Sequence, residues 1–224
     1  MLLPGLLKIH VVCWDVSGVL LATCVRLCVC LVFVRVLTLF PVQGKYLNLS
    51  QNDLTSCGGF EAVAALQELE MLDVSSNDIA SVDGVSSSSL TWLNLAGNDL
   101  IRLVNFGPLP SLVYLDISSN DILDLNGLVS STGKTSLVPK LEALDISNNN
   151  LKSNGGALNG LKRLKHLEAL NMDDNDLIDV KEVLAIVRVL PRLKFISAVE
   201  NDFTEEDEVL LENYCRANDI VCEI

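Results

Sequence analysis

Aromatic side chains are scarce: they make up 5% of 224 residues, with two tryptophans and three tyrosines among them. That scarcity argues against a sheet that stacks nucleic-acid bases on interleaved rings. Cations are short as well. Sixteen Lys plus Arg face 29 Asp plus Glu, a formal net charge of −13, so a phosphate backbone is repelled unless the positive charge gathers on one face. Histidine is nearly missing. His10 and His166 stand far apart with no partner at a ligand spacing, which leaves little for acid–base chemistry or soft-metal ligation. Gly133-Lys134-Thr135 has the ending of a phosphate loop, but Leu128 stands where its first glycine belongs. No calcium-loop spacing and no nucleophile, base and orienting group in one motif can be found. These lacks weigh against an enzyme, a bound cofactor, a metal centre and a nucleic-acid partner. Disorder is disfavoured too, because 50% of the residues are apolar and only 20% are charged.

Charge is also unevenly distributed. Residues 1–44 hold only Lys8, Asp15, Arg26 and Arg35 as charged side chains, and four of the seven cysteines. Residues 45–224 therefore carry 13 basic and 28 acidic residues, a net of −15. Within the leader, residues 16–34 contain eleven Val, Leu or Phe broken by Arg26. At roughly −0.4 kcal/mol per apolar residue against about +3 for a central Arg, membrane insertion comes out slightly favourable. Residues 1–44 are open to three readings: a hydrophobic N-terminal cap, a membrane segment, or a leader that is not native coding sequence.

What the chain does have is a repeat. YLNLSQNDL at 46–54 returns as MLDVSSNDI at 71–79, WLNLAGNDL at 92–100, YLDISSNDI at 114–122, ALDISNNNL at 143–151, ALNMDDNDL at 169–177 and, more loosely, FISAVENDF at 195–203. The asparagines Asn52, Asn77, Asn98, Asn120, Asn149, Asn175 and Asn201 are 25, 21, 22, 29, 26 and 26 residues apart. In the pattern L-x-L-x-x-N-x-L two apolar residues alternate as a short half-buried strand, and the Asn follows where the chain must turn. A buried Asn amide offers donors and an acceptor to backbone groups of its own and the neighbouring turn, so stacked units would line the amides into a ladder. One unit cannot bury its apolar edge alone; seven side by side can.

This line, over residues 45–203, resembles the leucine-rich-repeat family, and the repeat length resembles the 22-residue subclass of the phosphatase-1 regulatory leucine-rich-repeat subunit. The resemblance implies an α/β solenoid with a curved parallel sheet on the concave side and 3-10 turns and short helices on the convex side. Leucines recurring every third residue, from Leu100 to Leu115 and from Leu158 to Leu170, suit 3-10 turns there. The longer repeats leave room for real helix, for example Val180 to Val189. Cys24, Cys28 and Cys30 echo the cysteine-rich cap of extracellular members, but the fourth cysteine of that cap is missing. The array ends at residues 204–224. Thr204 with Asp207, ahead of Val209, Leu210 and Leu211, reads as the N-cap of a closing helix over about Glu205 to Ala217, with Ile220–Ile224 as a short strand or tail. Cys215 and Cys222 could pair in an oxidising compartment.

In an alternating strand, residues beside the core leucines point to the concave surface. One column is Tyr46, Met71, Trp92, Tyr114, Ala143, Ala169 and Phe195; the next is Asn48, Asp73, Asn94, Asp116, Asp145, Asn171 and Ser197; a third runs from Ser50 through Asp173 to Val199. Strands lie about 4.8 Å apart, so Tyr46, Met71, Trp92 and Tyr114 would form a continuous strip bordered by amides and carboxylates. Aromatic anchors beside acids suit a protein surface with apolar and basic side chains. Asp or Asn followed by Ser is equally the ordinary consensus of such repeats, which would give those columns a structural role instead. Six aspartates after the ladder asparagines, from Asp53 to Asp202, read as turn-shaping residues. Lys162, Arg163 and Lys165 read as a solvated convex patch. The sequence thus predicts a cytoplasmic, non-enzymatic binding module or scaffold, with a phosphatase-like enzyme as one candidate partner. The alternative is a receptor or adhesion protein anchored through residues 16–34.

Overall fold

The computed structural model describes residues 9–13, 19–24, 45–55, 63–64, 66–152 and 155–224. Its strands form one ten-stranded sheet in chain order. β1 (Ile9–Cys13) and β2 (Val19–Cys24) pair antiparallel. From β2 onward all neighbours are parallel: β3 (Tyr46–Asn48), β4 (Met71–Asp73), β5 (Trp92–Asn94), β6 (Tyr114–Asp116), β7 (Ala143–Asp145), β8 (Ala169–Asn171), β9 (Phe195–Ser197) and β10 (Val221–Glu223). This is the solenoid that the repeat implies. The first strands carry no ladder asparagine and were not legible from the repeat. β2 falls within the apolar stretch 16–34, whose remainder lies outside the described residues. Among the described residues, no helix is long and apolar enough to cross a membrane.

Each repeat strand is three residues long, with its central side chain in the core; in β9 Ser197 is buried as well. Leu47, Leu72, Leu93, Leu115, Leu144, Leu170 and Ile196 stand in register across β3–β9, all at 2% exposure or less. A second buried row follows two residues later, at Leu49, Val74, Leu95, Ile117, Ile146, Met172 and Ala198. The chain then leaves the sheet through a left-handed residue directly before each ladder asparagine. Gln51, Ser76, Gly97, Ser119, Asn148, Asp174 and Glu200 all have φ between 49° and 64°. Only one of the seven is glycine, so six side chains sit in a conformation that costs roughly 1–2 kcal/mol.

The asparagines hold neighbouring turns together. Asn77, Asn98, Asn120, Asn149 and Asn175 are buried, whereas Asn52 and Asn201 at the two ends are half-buried. Asn120 is representative: its Nδ2 donates to the carbonyls of Leu95 (3.1 Å), Ile117 (3.1 Å) and Ser118 (2.9 Å), and its Oδ1 accepts from Leu100 N at 3.0 Å. The aspartates that follow lie on an exposed edge, where their backbone N–H groups continue the pairing, as from Asp121 N to Leu100 O at 3.0 Å. Asp176 also pairs with Lys152 at 3.2 Å.

On the convex side the arcs differ. Residues Leu100 to Leu115 run as plain turns rather than 3-10 helix, despite their every-third leucines. Real 3-10 turns occur at Asn126–Leu128 and Asn159–Arg163. The helix α1 spans Val180–Val187, two residues shorter than its sequence pattern suggests, and Arg188 caps it shortly before Pro191. Asp179 accepts from Lys181 N at its other end. α2 covers Glu205–Ala217, where Thr204 accepts from Asp207 N and four acids occupy the first turn. It buries Leu211 and Cys215 against the last repeat. Cys215 and Cys222 are free thiols, and burial pushes the Cys222 thiol up to about 12.

Candidate functional site

The register brings the first column together as one row across the sheet: Tyr46, Met71, Trp92, Tyr114, Ala143, Ala169 and Phe195. Its large members are not core residues, since the leucines beside them fill the interior. Met71 is 37% exposed, and Tyr46, Trp92, Tyr114 and Phe195 are half-buried. Trp92 and Tyr114 stack with ring centroids 5.5 Å apart and planes 7° from parallel. The offset geometry is the one the ring quadrupoles favour, and it fixes both rings before any partner arrives. Ala143 and Ala169 interrupt the row, so Phe195 stands apart from the other aromatics.

The second column is both structural and displayed. Asp73 Oδ1 accepts from Ser75 N (3.0 Å) and Ser75 Oγ (2.7 Å); Asp116 does the same with Ser118, Asp145 with Ser147 and Asn48 with Ser50. Asn94 accepts from Ala96 N at 2.9 Å, and Asn171 from Asp173 N at 3.0 Å. One oxygen of each side chain thus closes the end of its own strand. The second oxygen of each aspartate stays available on the face: Asp73 Oδ2 accepts from Asn48 Nδ2 at 3.3 Å, Asp145 Oδ2 from Asn171 Nδ2 at 3.2 Å, and Asp116 Oδ2 from the Tyr114 hydroxyl at 3.4 Å. Burial, then the carboxylates of Asp116 and Asp145, push the Tyr114 phenol up to about 12. The ring therefore meets a partner as a neutral hydroxyl on a negative face.

Asp173 departs from the pattern. Ser197 is too short to close β9, so Asp173 Oδ1 reaches across to accept from Val199 N (2.8 Å) and Ser197 Oγ (2.6 Å). Among the described residues, no three His, Cys, Asp or Glu are grouped to hold a metal ion. His166 lies on the other side of the solenoid, where its Nδ1 stands 3.1 Å from an Arg192 nitrogen. The arrangement offers hydrogen bonds, charge and ring surface to a partner.

Two family models, each described as leucine-rich repeat, match residues 67–122 and 139–158. These segments are leucine-rich repeats. No curated protein matches the chain. Solved structures share the solenoid. An internalin C2 from Listeria monocytogenes is 20% identical with a TM-score of 0.48, covering 80% of this chain and 79% of its own. An internalin (inlF) from the same organism is 17% identical with a TM-score of 0.53, covering 80% and 52%. TLR13, solved in complex with ssRNA13, is 28% identical with a TM-score of 0.55 over 70% of this chain. This chain spans about half of that inlF structure and 22% of the TLR13 chain. Since TLR13 was solved with RNA bound, a leucine-rich-repeat solenoid does not by itself exclude nucleic acid.

Proposed function

We propose that the chain is a non-enzymatic protein-binding module whose concave sheet face holds a partner with apolar and basic side chains. The observation that carries this reading is the preorganised Trp92–Tyr114 stack, set in a row with Tyr46 and Met71 and bordered by the second carboxylate oxygens of Asp73, Asp116 and Asp145. Rigid aromatic anchors next to hydrogen-bonding acids concentrate binding energy in few side chains. The same carboxylates argue against a nucleic-acid backbone on this face. A phosphatase catalytic subunit is one candidate, on the resemblance of repeat length alone, and purified phosphatase-1 catalytic subunit is the direct probe. The acidic repeats, with the single glycosylation sequon Asn48-Leu49-Ser50, favour a cytoplasmic setting. The pairing of β2 with β3 supports residues 1–44 as a cap over the first repeat. The apolar stretch 16–34 keeps a membrane-tethered receptor as the second reading, which alkaline carbonate extraction tests.

Quantitative pull-down from native extract with the full chain and its Trp92→Ala/Tyr114→Ala variant tests the primary reading, after circular dichroism shows that both fold. A defined partner captured by the first and lost from the second supports it. Identical partners on both would remove the concave face from consideration.

A further inference from the structure

A second surface lies on the convex side. A groove of about 430 Å³ is walled by Val129, Gly133 and Val189 and lined by Lys162, Arg163 and Lys165. It draws on separate repeats, since Gly133 belongs to the insertion that lengthens the fourth and the cations sit in and just after the 3-10 turn Asn159–Arg163. No carboxylate lines it, in a chain where acids outnumber bases 29 to 16.

All three cations are exposed, and each is oriented by one hydrogen bond to a neutral oxygen. Among the described residues, Lys45, Arg102, Lys152, Lys194 and Arg216 each find a carboxylate within 4.0 Å. The three groove cations, like Lys134, Lys140, Lys181, Arg188 and Arg192, have none. Each groove cation is held instead by a neutral oxygen: Lys162 Nζ donates to Asn159 Oδ1 (2.6 Å), Arg163 Nε to Gly133 O (3.1 Å) and Lys165 Nζ to Val189 O (2.7 Å). These bonds position the side chains without neutralising them. With Nε engaged, the terminal nitrogens of Arg163 remain as a fork for an oxyanion, and each ammonium keeps further donors. The opposite face carries the carboxylates of Asp73, Asp116 and Asp145.

We propose that this groove binds an acidic peptide segment of a partner protein, one whose carboxylates pair with Lys162, Arg163 and Lys165. Charge complementarity selects that occupant, because the rest of the repeat array repels it. The site is independent of the concave strip, and its test is too.

Fluorescence anisotropy of a short fluorescein-labelled Glu/Ser peptide titrated with the full chain reads it directly. Saturable binding is expected, weakening as salt rises. Lys162→Glu/Arg163→Glu should weaken it by about tenfold or more, whereas Trp92→Ala/Tyr114→Ala leaves it unchanged. Lys162→Gln/Lys165→Gln keeps the Arg163 tie to Gly133 and should weaken it less, which separates lost charge from a disturbed loop. Absence of saturable binding, or binding indifferent to the charge reversal, overturns the proposal. So does tighter binding of phosphatidylserine vesicles or single-stranded RNA at the same residues.

Discussion

The amide oxygen of Asn98 accepts from Ile79 N, 3.1 Å away in the preceding repeat, while its Nδ2 donates to Val74 O and Leu95 O. Both ends of that bond are buried. Replacing Asn98 by Ala strands the Ile79 N–H away from water, while Val74 O and Leu95 O keep Asn77 and Asn120 as donors, and the loss should be about 2 kcal/mol. Asn201 makes the same kind of bond, to Leu177 N at 3.3 Å, but is half-buried, and water can replace part of it. Asn201→Ala should therefore cost about 1 kcal/mol. Urea unfolding of the two variants side by side checks the difference; equal losses would mean that burial does not set the ladder's strength.

The left-handed residue before each ladder asparagine gives a second test. Ser76 has φ of 54° and carries a Cβ there, whereas Gly97 occupies the equivalent position one repeat on. Ser76→Gly should stabilise the protein by about 1 kcal/mol, because it removes the clash of Cβ with the backbone. Gly97→Ala should destabilise it by a similar amount through backbone strain alone, since its new Cβ would meet nothing closer than 3.6 Å. Opposite shifts in melting temperature are the expected result.

Gly127 and Gly160 are constrained differently. Each is the middle residue of an Asn-Gly-Leu sequence at a 3-10 turn. A Cβ on Gly127 would collide with the carbonyl oxygen of Leu103, and one on Gly160 with that of Leu125. The obstacle in both cases is backbone, which cannot rotate away. Gly160→Ala should destabilise by about 3 kcal/mol or more, as overpacking of an unyielding site does, and Gly133→Ala, whose Cβ meets open space, should lose only what its φ of 66° demands. Chemical denaturation of both variants measures the contrast.

These residues also show what the sequence could and could not disclose. The leucine rows and the asparagines were legible because every repeat carries them at the same offset, so one physical demand is written seven times. The adjacency of Trp92 and Tyr114 followed from that offset, but their stacking did not, because ring orientation is set by neighbours in space. Gly127 and Gly160 escaped notice because what they avoid is a carbonyl more than a repeat away. Asp173 was legible as a displayed acid and not as the group that closes the neighbouring strand, a duty it acquires only because Ser197 is short. Lys162, Arg163 and Lys165 read as a solvated patch. What the pattern omitted was the insertion wall at Gly133 that turns them into a groove.

Tyr114 gives a prediction in pH. In the unfolded chain its phenol releases a proton near 10, and in the folded protein near about 12. Between those values the unfolded state binds fewer protons, so stability falls as pH rises; the contribution is complete below pH 10 and lost as pH climbs through about 12. Absorbance titration of tyrosinate should show a late component that Tyr114→Phe removes. Asp116→Asn should move that component toward 10, because it deletes the larger of the two carboxylate effects while leaving burial in place. An unmoved component would assign the shift to burial and Asp145 instead.

The closing helix gives the last prediction. Thr204 Oγ1 accepts from Asp207 N at 3.2 Å, an amide that also donates to Thr204 O at 2.9 Å, and donates to Asp207 Oδ2 at 2.9 Å, so one residue caps the first turn and orients its carboxylate. Both residues lie outside the buried core, and the loss in Thr204→Ala is therefore that of the cap, about 1 kcal/mol. Thr204→Ser keeps the hydroxyl and should retain most of the stability. The effect should also be local: Leu211 and Cys215 are the α2 residues that seal the last repeat, so fraying at the cap exposes that end first. Hydrogen exchange in Thr204→Ala should accelerate in α2 and β10 while the amides of β5 and β6 keep their protection. Uniform acceleration across the sheet would instead mean that the cap and the repeats unfold as one unit.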